Sequence, residues 1–402
     1  HDIPPVNGRG LVADDVVATY ERIIDVGLQG SWFDVVADIE ASDDHTVVFT
    51  LSEPYSPFLE AVAHHYNVII PREGAAGEYD METVLIGTGP FVLEEWNRDV
   101  EWRRVRNPDY FVDGEPYLDE LITYIMPDQS ARQSALRSGR LQHASFTDQG
   151  LADALGDEGF QRADEMAIQS ILWLNEEVEP YNDPRVRRAI ALAIDWDGMG
   201  EGVRGRYQRS ALIGQVAGSA ALPEDEVREL TPHDPEQARK LLAEAGYPDG
   251  FSAELLVLEL SEVDVQEAVW MEQDLADIGI DVELTIADLP TAVDRRRAGD
   301  FEMTKGLNNR LLAEEYVEVY FPEHLDNISN VDDAELREMI ERTRTELDEA
   351  ARIEIYHDIQ RHMIERGDSA LQYQYYDFHV FDESVRDFQA FLFRGARTWA
   401  DV

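Results

Sequence analysis

Gly200-Glu201-Gly202-Val203-Arg204-Gly205 has the G-x-G-x-x-G spacing with which dinucleotide-binding loops cradle a pyrophosphate. Glu224 and Asp225, which could meet a ribose, stand about twenty residues beyond Gly205. Such a loop must follow a strand and open a helix, so that the phosphates sit on the helix N-terminus. Here the glycines follow residues 185–195, whose apolar spacing is helical. The context therefore predicts a glycine-rich helix exit. Gly87-Thr88-Gly89-Pro90 lacks the G-x-x-x-x-G-K-[ST] pattern and has no lysine nearby, so a phosphate cradle is unsupported.

The other reactive types are equally uninformative. Neighbours on a strand, such as His64 and His65, point to opposite faces. His357 and His362 are five apart, about 140° around a helix, and neither pair makes H-E-x-x-H. Asp195-Trp196-Asp197-Gly198 offers too few ligands for a calcium loop. No G-x-S-x-G or S-x-x-K marks a serine nucleophile. With 83 carboxylates a glycosidase-type pair can be drawn anywhere, so none is evidence for one. Absence of cysteine removes disulfides, thiol catalysis and thiolate metal sites. No catalytic residue, metal or cofactor is expected. Aromatics carry more. Trp32-Phe33 lies in a loop, Trp173 on a short apolar strand near Asn175, and Tyr207 just after the glycine-rich exit. Each suits a core; as a set they could line an interdomain cleft.

These residues sit in a chain of extreme charge. The net charge is −49, from 83 acidic and 34 basic residues, and the acids are spread along the whole length. Such a chain repels phosphate backbones and anionic lipid, which excludes nucleic-acid binding. The pattern fits a halophilic protein, because salt screens self-repulsion over about 3 Å at 1 M. Length, 402 residues with 44% apolar content, predicts two or three domains with real cores. No run of about 18 apolar residues suggests a membrane helix.

The elements that must position the candidates read as α/β. Residues 13–27 form a helix through Val16, Val17, Tyr20, Ile23 and Ile24. Val47, Phe49 and Leu51 mark a half-buried strand after an Asp43-Asp44 turn, and residues 53–71 a short helix and an apolar strand. Phe91–Trp96, Glu101–Asn107 and Glu120–Met126 read as β segments, and 128–142 as helical. Ser170–Asn175 is a short strand, and 185–195 a helix with Val186, Ala189, Ile190 and Ala193 on one face. Asp234-Pro235-Glu236-Gln237 is a strong helix start and Gly246 a stop. A strand at 253–260, a helix at 262–278 and a strand at 281–287 make a βαβ unit, which implies parallel sheet. Helices at 332–346 and 348–366 precede a long strand, Ala370–Phe381.

Taken in order, GRGLVADDVVATYERIID, VVADIEASDDHTVVFTLSEPYSPFLEAVA, GTGPFVLEEW, YNDPRVRRAIALAIDWDGM, DPEQARKLLAEAGYPDGF and Asp332–Gly367 resemble the family 5 extracellular solute-binding proteins of ABC importers. That family includes dipeptide-, oligopeptide- and nickel-binding proteins. The resemblance implies a two-lobed periplasmic-binding-protein-like fold (type II, cluster C) with an extra domain and an interdomain ligand cleft. It places the extra domain at 1–86, the first lobe at 87–206, the second at 207–371, and a return to the first at 372–402. Gly87–Pro90 then becomes the bend between extra domain and first lobe. First-lobe strands and a signal or lipoprotein anchor of the family have no counterpart, which suggests a fragment of a secreted, membrane-tethered protein.

Site residues follow from the same resemblance. The loop of Trp32 and Phe33 matches one that places an aromatic at the ligand. Asn175-Glu176 matches an Asn-Asn pair, with Glu176 a change, and Glu259 falls near a contacting position. The stretch 300–311 aligns with a family segment whose Trp forms the pocket and whose Asp pairs with a peptide ammonium. Here those positions are Asn308, beside Asn309, and Leu311, and leucine cannot compensate a cation. Lys305 either meets an anionic group of the ligand or is a surface lysine. The ligand contacts expected are thus Trp32, Phe33, Trp173, Asn175, Glu259, Lys305, Asn308 and Asn309. The function implied is a non-enzymatic, monomeric receptor outside the cell. It would capture a peptide or similar solute by lobe closure and deliver it to the permease. A carboxylate hydrolase in the same cleft and a transporter-independent peptide chaperone are the alternatives.

Overall fold

A computed structural model describes residues 1–27, 30–308, 310–322, 324–368 and 372–388. The backbone packs into two compact units. The first holds His1–Phe146, Gly150–Glu165 and the chain from Phe378 on; the second holds Thr147–Gln149 and Met166–Asp377. These divisions differ from those expected at 86/87, 206/207 and 371/372. Gly87–Pro90 and the segments on either side of it lie within the first unit. A Cβ at Gly87 or Gly89 would meet open space, so close approach does not explain either glycine.

The first unit opens with α1, Ala13–Val26. Tyr20 on α1 packs edge-on to Phe33 and Phe49, both at 5.2 Å, and this forms a small aromatic core. Strands β1, Val36–Asp43, and β2, Thr46–Leu51, pair antiparallel, and Val47, Phe49 and Leu51 are the half-buried positions. The expected strand at 67–70 does not form. The Ile70 N–H donates to the Thr19 hydroxyl (3.1 Å), and Thr19 donates back to the Ile70 carbonyl (3.2 Å). One side chain thus ties Ile70 to α1, and residues 67–70 run without a partner strand. Strands β3, Phe91–Asn97, β4, Glu101–Arg106, and β5, Glu120–Tyr124, make an antiparallel meander. Strand β6, His143–Phe146, follows the helix Gln129–Arg137.

The second unit is built on a mixed sheet. Strand β7 runs Gln161–Leu174, well beyond the six residues expected, and continues from the first unit into the second. Helix α2, Pro184–Ala193, is capped by Asp183, which accepts from the Arg185 N–H at 2.8 Å. It is buried on more than one face, Ala191 and Leu192 included. Strand β8, Tyr207–Ser210, follows the glycine-rich segment. Helix α3, Pro235–Ala245, has the expected cap: Asp234 accepts from the Gln237 N–H at 2.9 Å, and Gly246 ends it at φ 102°. Strand β9, Phe251–Leu258, helix α4, Glu262–Asp277, and strand β10, Ile280–Ala287, form the parallel crossover, paired from Phe251↔Ile280 to Leu258↔Ala287. Gly250 is held at φ 76° against the backbone of Gly279, and a Cβ there would overlap the Gly279 carbonyl. Strand β11, Met303–Asn308, joins β9 in parallel and β7 antiparallel. Strand β12, Gln372–Phe381, pairs with β8 in this unit and with β6 in the first. The apolar core under the sheet gathers Leu172, Val186, Ile190, Trp196, Leu255, Met271, Leu275 and Met303.

A candidate ligand groove at the edge of the second unit

Parallel strands place their C-terminal ends together, and in open α/β sheets that edge is where ligands bind. In the second unit β9 and β11 run in parallel, with Lys305 beside Val257. Continued two residues, the register puts Glu259 level with Leu307, one position from Asn308. Helix α4 starts at the same edge, three residues after Glu259.

Beneath this edge lies a buried ion network. The Lys305 ammonium is fully buried and donates to Asp264 Oδ1 and Glu267 Oε2, each at 2.6 Å. Arg204 reaches Glu267 Oε1 at 2.6 Å and Asp264 Oδ1 at 3.3 Å. The hydroxyls of Ser170 (2.9 Å) and Tyr373 also donate to Glu267. The Asp264 Oδ2 atom caps α4 by accepting from the Leu260 and Ser261 N–H groups at 3.1 and 2.8 Å. Two cations face two anions, so the cluster is neutral. Burial opposes ionisation of Glu267, but Lys305 and Arg204 outweigh it and hold the carboxyl down at about 2. Burial lowers Arg204, but Glu267 first, with Tyr375 and Tyr373, outweighs it and raises the guanidinium above its ordinary value. Lys305 is therefore neither a surface lysine nor a free cation for a ligand.

Above the network, Val203, Glu259, Glu262, Val265, Gln266, Val269, Trp270 and Gln273 line an open groove of about 510 Å³ along α4. The G-x-G-x-x-G segment builds its far wall. Gly200–Arg204 makes one π-helical turn at the exit of a short helix, Trp196–Met199, with Gly205 at φ 76°. A Cβ at Gly198 or Gly202 would lie 3.1 Å from the Trp270 ring, and one at Gly200 2.7 Å from Tyr207. These glycines leave room for two aromatic rings, and no phosphate is needed to explain them. Among the described residues Glu259 and Glu262 are exposed and have no ion-pair partner.

Other expected contacts lie elsewhere. Trp173 stands opposite Thr304 on β11, four residues from the row of Asn308, or roughly 13 Å along the strand. It is buried, with the Arg296 guanidinium 5.1 Å above its ring. Asn175 is buried beyond the other end of β11. Its amide donates to the Gly299 and Phe301 carbonyls (3.3 and 3.0 Å), and its Oδ1 accepts from the Glu177 N–H and from Asn330. Those bonds fasten loops. Glu176, next to it, is raised to about 8, chiefly by burial and then by Asp368. Asn308 Oδ1 accepts from Arg310 at 2.6 Å, and the Leu311 N–H donates to Glu315. Asn309 lies outside the described residues. Phe33 is buried in the first unit's aromatic core, and Trp32 packs edge-on to His64 at 4.8 Å. His64 and His65 sit in a turn with rings 4.3 Å apart. They are not on a strand with opposite faces. Of the expected set, Glu259 and Asn308 share one edge. Trp270 and Glu262 were missed; their only sequence signal is the i, i+3, i+4 spacing of Glu262, Val265, Gln266, Val269, Trp270 and Gln273 on one helix face.

The profile of bacterial extracellular solute-binding proteins, family 5 (middle region), matches residues 6–309. Di/tripeptide-binding protein 2 of Pseudomonas aeruginosa is 30% identical over 387 residues, 88% of this chain and 72% of its own length. The glutathione-binding protein GsiB of Salmonella choleraesuis is 30% identical over 257 residues, 63% of this chain and 49% of its own length, so the chain spans about half of that relative. The periplasmic binding protein DppA of Helicobacter pylori, solved with the peptide STSA, superposes with a TM-score of 0.81 at 22% identity. The match covers 97% of this chain and 81% of DppA. No helix among the described residues is long and apolar enough to cross a membrane. The chain belongs to the family 5 extracellular solute-binding proteins.

Proposed function

We propose that this protein captures a short peptide or a related small solute outside the cytoplasmic membrane and delivers it to the permease of an ABC importer. The observation that carries this is the site itself: at the C-terminal edge of the parallel strands, unpaired carboxylates and an aromatic wall face an open groove. The relatives' names, di/tripeptide and glutathione binding, support the solute class. The mechanism is closure. The chain passes between its units within β7 and β12, and a ligand that binds a closed arrangement better than an open one shifts the protein towards it.

Within this proposal Glu259 is a direct ligand contact. Trp173, Asn175 and Lys305 act by holding the strands and loops that shape the edge. Trp32 and Asn308 keep the role of contacts, and Phe33, buried beside Tyr20, holds the loop that carries Trp32. The extra domain at 1–86 belongs to the same proposal, as part of the first unit. The protein acts as a monomer and without turnover.

Melting temperature against a panel of di- and tripeptides, at high salt, tests the assignment. A ligand at a hundred times its dissociation constant stabilises by about 2.7 kcal/mol. Mass spectrometry of the released ligand must find it intact; release of fragments would turn the assignment to a hydrolase. If no peptide moves the melting temperature, the receptor assignment fails.

A further inference from the structure

The groove along α4 is chemically lopsided. Val203, Val265, Val269 and Trp270 give it an apolar wall, Gln266 and Gln273 offer amides, and every charged group lining it is an acid. The buried cluster does not balance those acids, because Arg204 and Lys305 are already matched by Asp264 and Glu267. Helix-dipole stabilisation accounts for Glu262, which sits in the first turn of α4, but not for Glu259, which precedes the cap at Ser261. The wall is also fixed in place, since Trp270 is seated against the bare backbone of Gly198 and Gly202.

We propose that this groove binds a primary ammonium group carrying an apolar arm, with Glu259 and Glu262 taking the ammonium and Trp270 with the valines taking the arm. On the receptor assignment above, on which this rests, the ammonium is the amino end of a peptide whose first side chain is apolar. The volume, about 510 Å³, suits one such residue and its neighbour. A carboxylate-ended ligand of the same shape is rejected by like charge.

Calorimetry with three probes of one shape tests this: 2-phenylethylamine, 3-phenylpropanoate and 2-phenylethanol, titrated into the whole chain. The amine binds, the acid does not, and the alcohol binds more weakly than the amine. The double variant Glu259→Gln/Glu262→Gln weakens amine binding about tenfold or more, the loss expected for charge-assisted hydrogen bonds. Val269→Arg, at an exposed position, places a cation in the groove and abolishes amine binding with the fold retained. Equal binding of amine and acid, or wild-type amine affinity in the double variant, overturns the proposal. Peptides settle the two levels separately. If peptides bind the double variant as tightly as wild type, the groove assignment falls and the receptor assignment stands. If the amine binds as expected and no peptide does, the groove stands as an amine site and the receptor assignment falls.

Discussion

Two buried carboxylates of the second unit, Glu267 and Glu314, have opposite proton affinities. Both are buried, and both accept hydroxyl hydrogen bonds: Glu267 from Ser170 and Tyr373, Glu314 from Thr343 and Tyr356. Glu267 shares a closed cluster with two fully buried cations and one other acid. Glu314 lies near Glu318, and its pair with Arg344, at 3.6 Å, competes with Glu318, which meets the same guanidinium at 2.7 Å. Burial raises both. Two cations pull Glu267 down to about 2, whereas burial and then the charge of Glu318 push Glu314 up to about 8. Burial is therefore not what sets the sign; the count of cations in reach is.

Removing a cation breaks the comparison most sharply. Lys305→Met leaves Asp264 and Glu267 sharing Arg204, and we expect a loss of about 3–5 kcal/mol by denaturant unfolding. Adding Glu267→Gln to that variant restores part of it. A loss below about 1 kcal/mol would mean the cluster does not hold the sheet to α4.

Salt separates buried from exposed charge. With a net charge of −49 spread over the chain, we expect the melting temperature to rise by several degrees from dilute buffer to molar salt. The penalty of Lys305→Met, inside a dry and neutral cluster, changes little over the same range. Full stability in dilute buffer would count against a halophilic protein.

The pH dependence sharpens the contrast. Glu314 keeps its proton up to about 8, against an ordinary 4.5. Its stabilising contribution is thus complete below about 4.5 and is lost as pH rises towards 8. Glu314→Gln should flatten that fall and raise the melting temperature at pH 9 relative to pH 5 by a few degrees. Glu267 has the opposite sign: its contribution is present above its ordinary value and fades as pH drops towards 2. The smallest effect belongs to the exposed acids. Glu259→Gln/Glu262→Gln should change stability by less than about 0.5 kcal/mol, measured by urea unfolding, whatever it does to ligand.

The sequence by itself determined the local elements and, through its ordered motifs, the family. Asp234, Pro235, Gln237 and Gly246 define a helix within twelve positions, and the crossover at 251–287 follows from strand, helix and strand patterns with Gly279 between. Such signals are written in hydrogen bonds and periodicities a few residues long. The site was far less legible. Glu259 was visible, but Lys305 was read as free because its partners stand 38 and 41 positions away, and the Arg204–Glu267 and Tyr373–Glu267 contacts span 63 and 106. The segment at 67–70 has the composition of a strand, yet Thr19, 51 positions earlier, occupies its backbone. The glycines of 198–205 carried a recognisable spacing whose purpose became clear only where Trp270 and Tyr207 pack onto them. Residue types fix which interactions are possible. Only the tertiary structure decides which charges meet and which stay open to a ligand, because that depends on distances that no local pattern encodes.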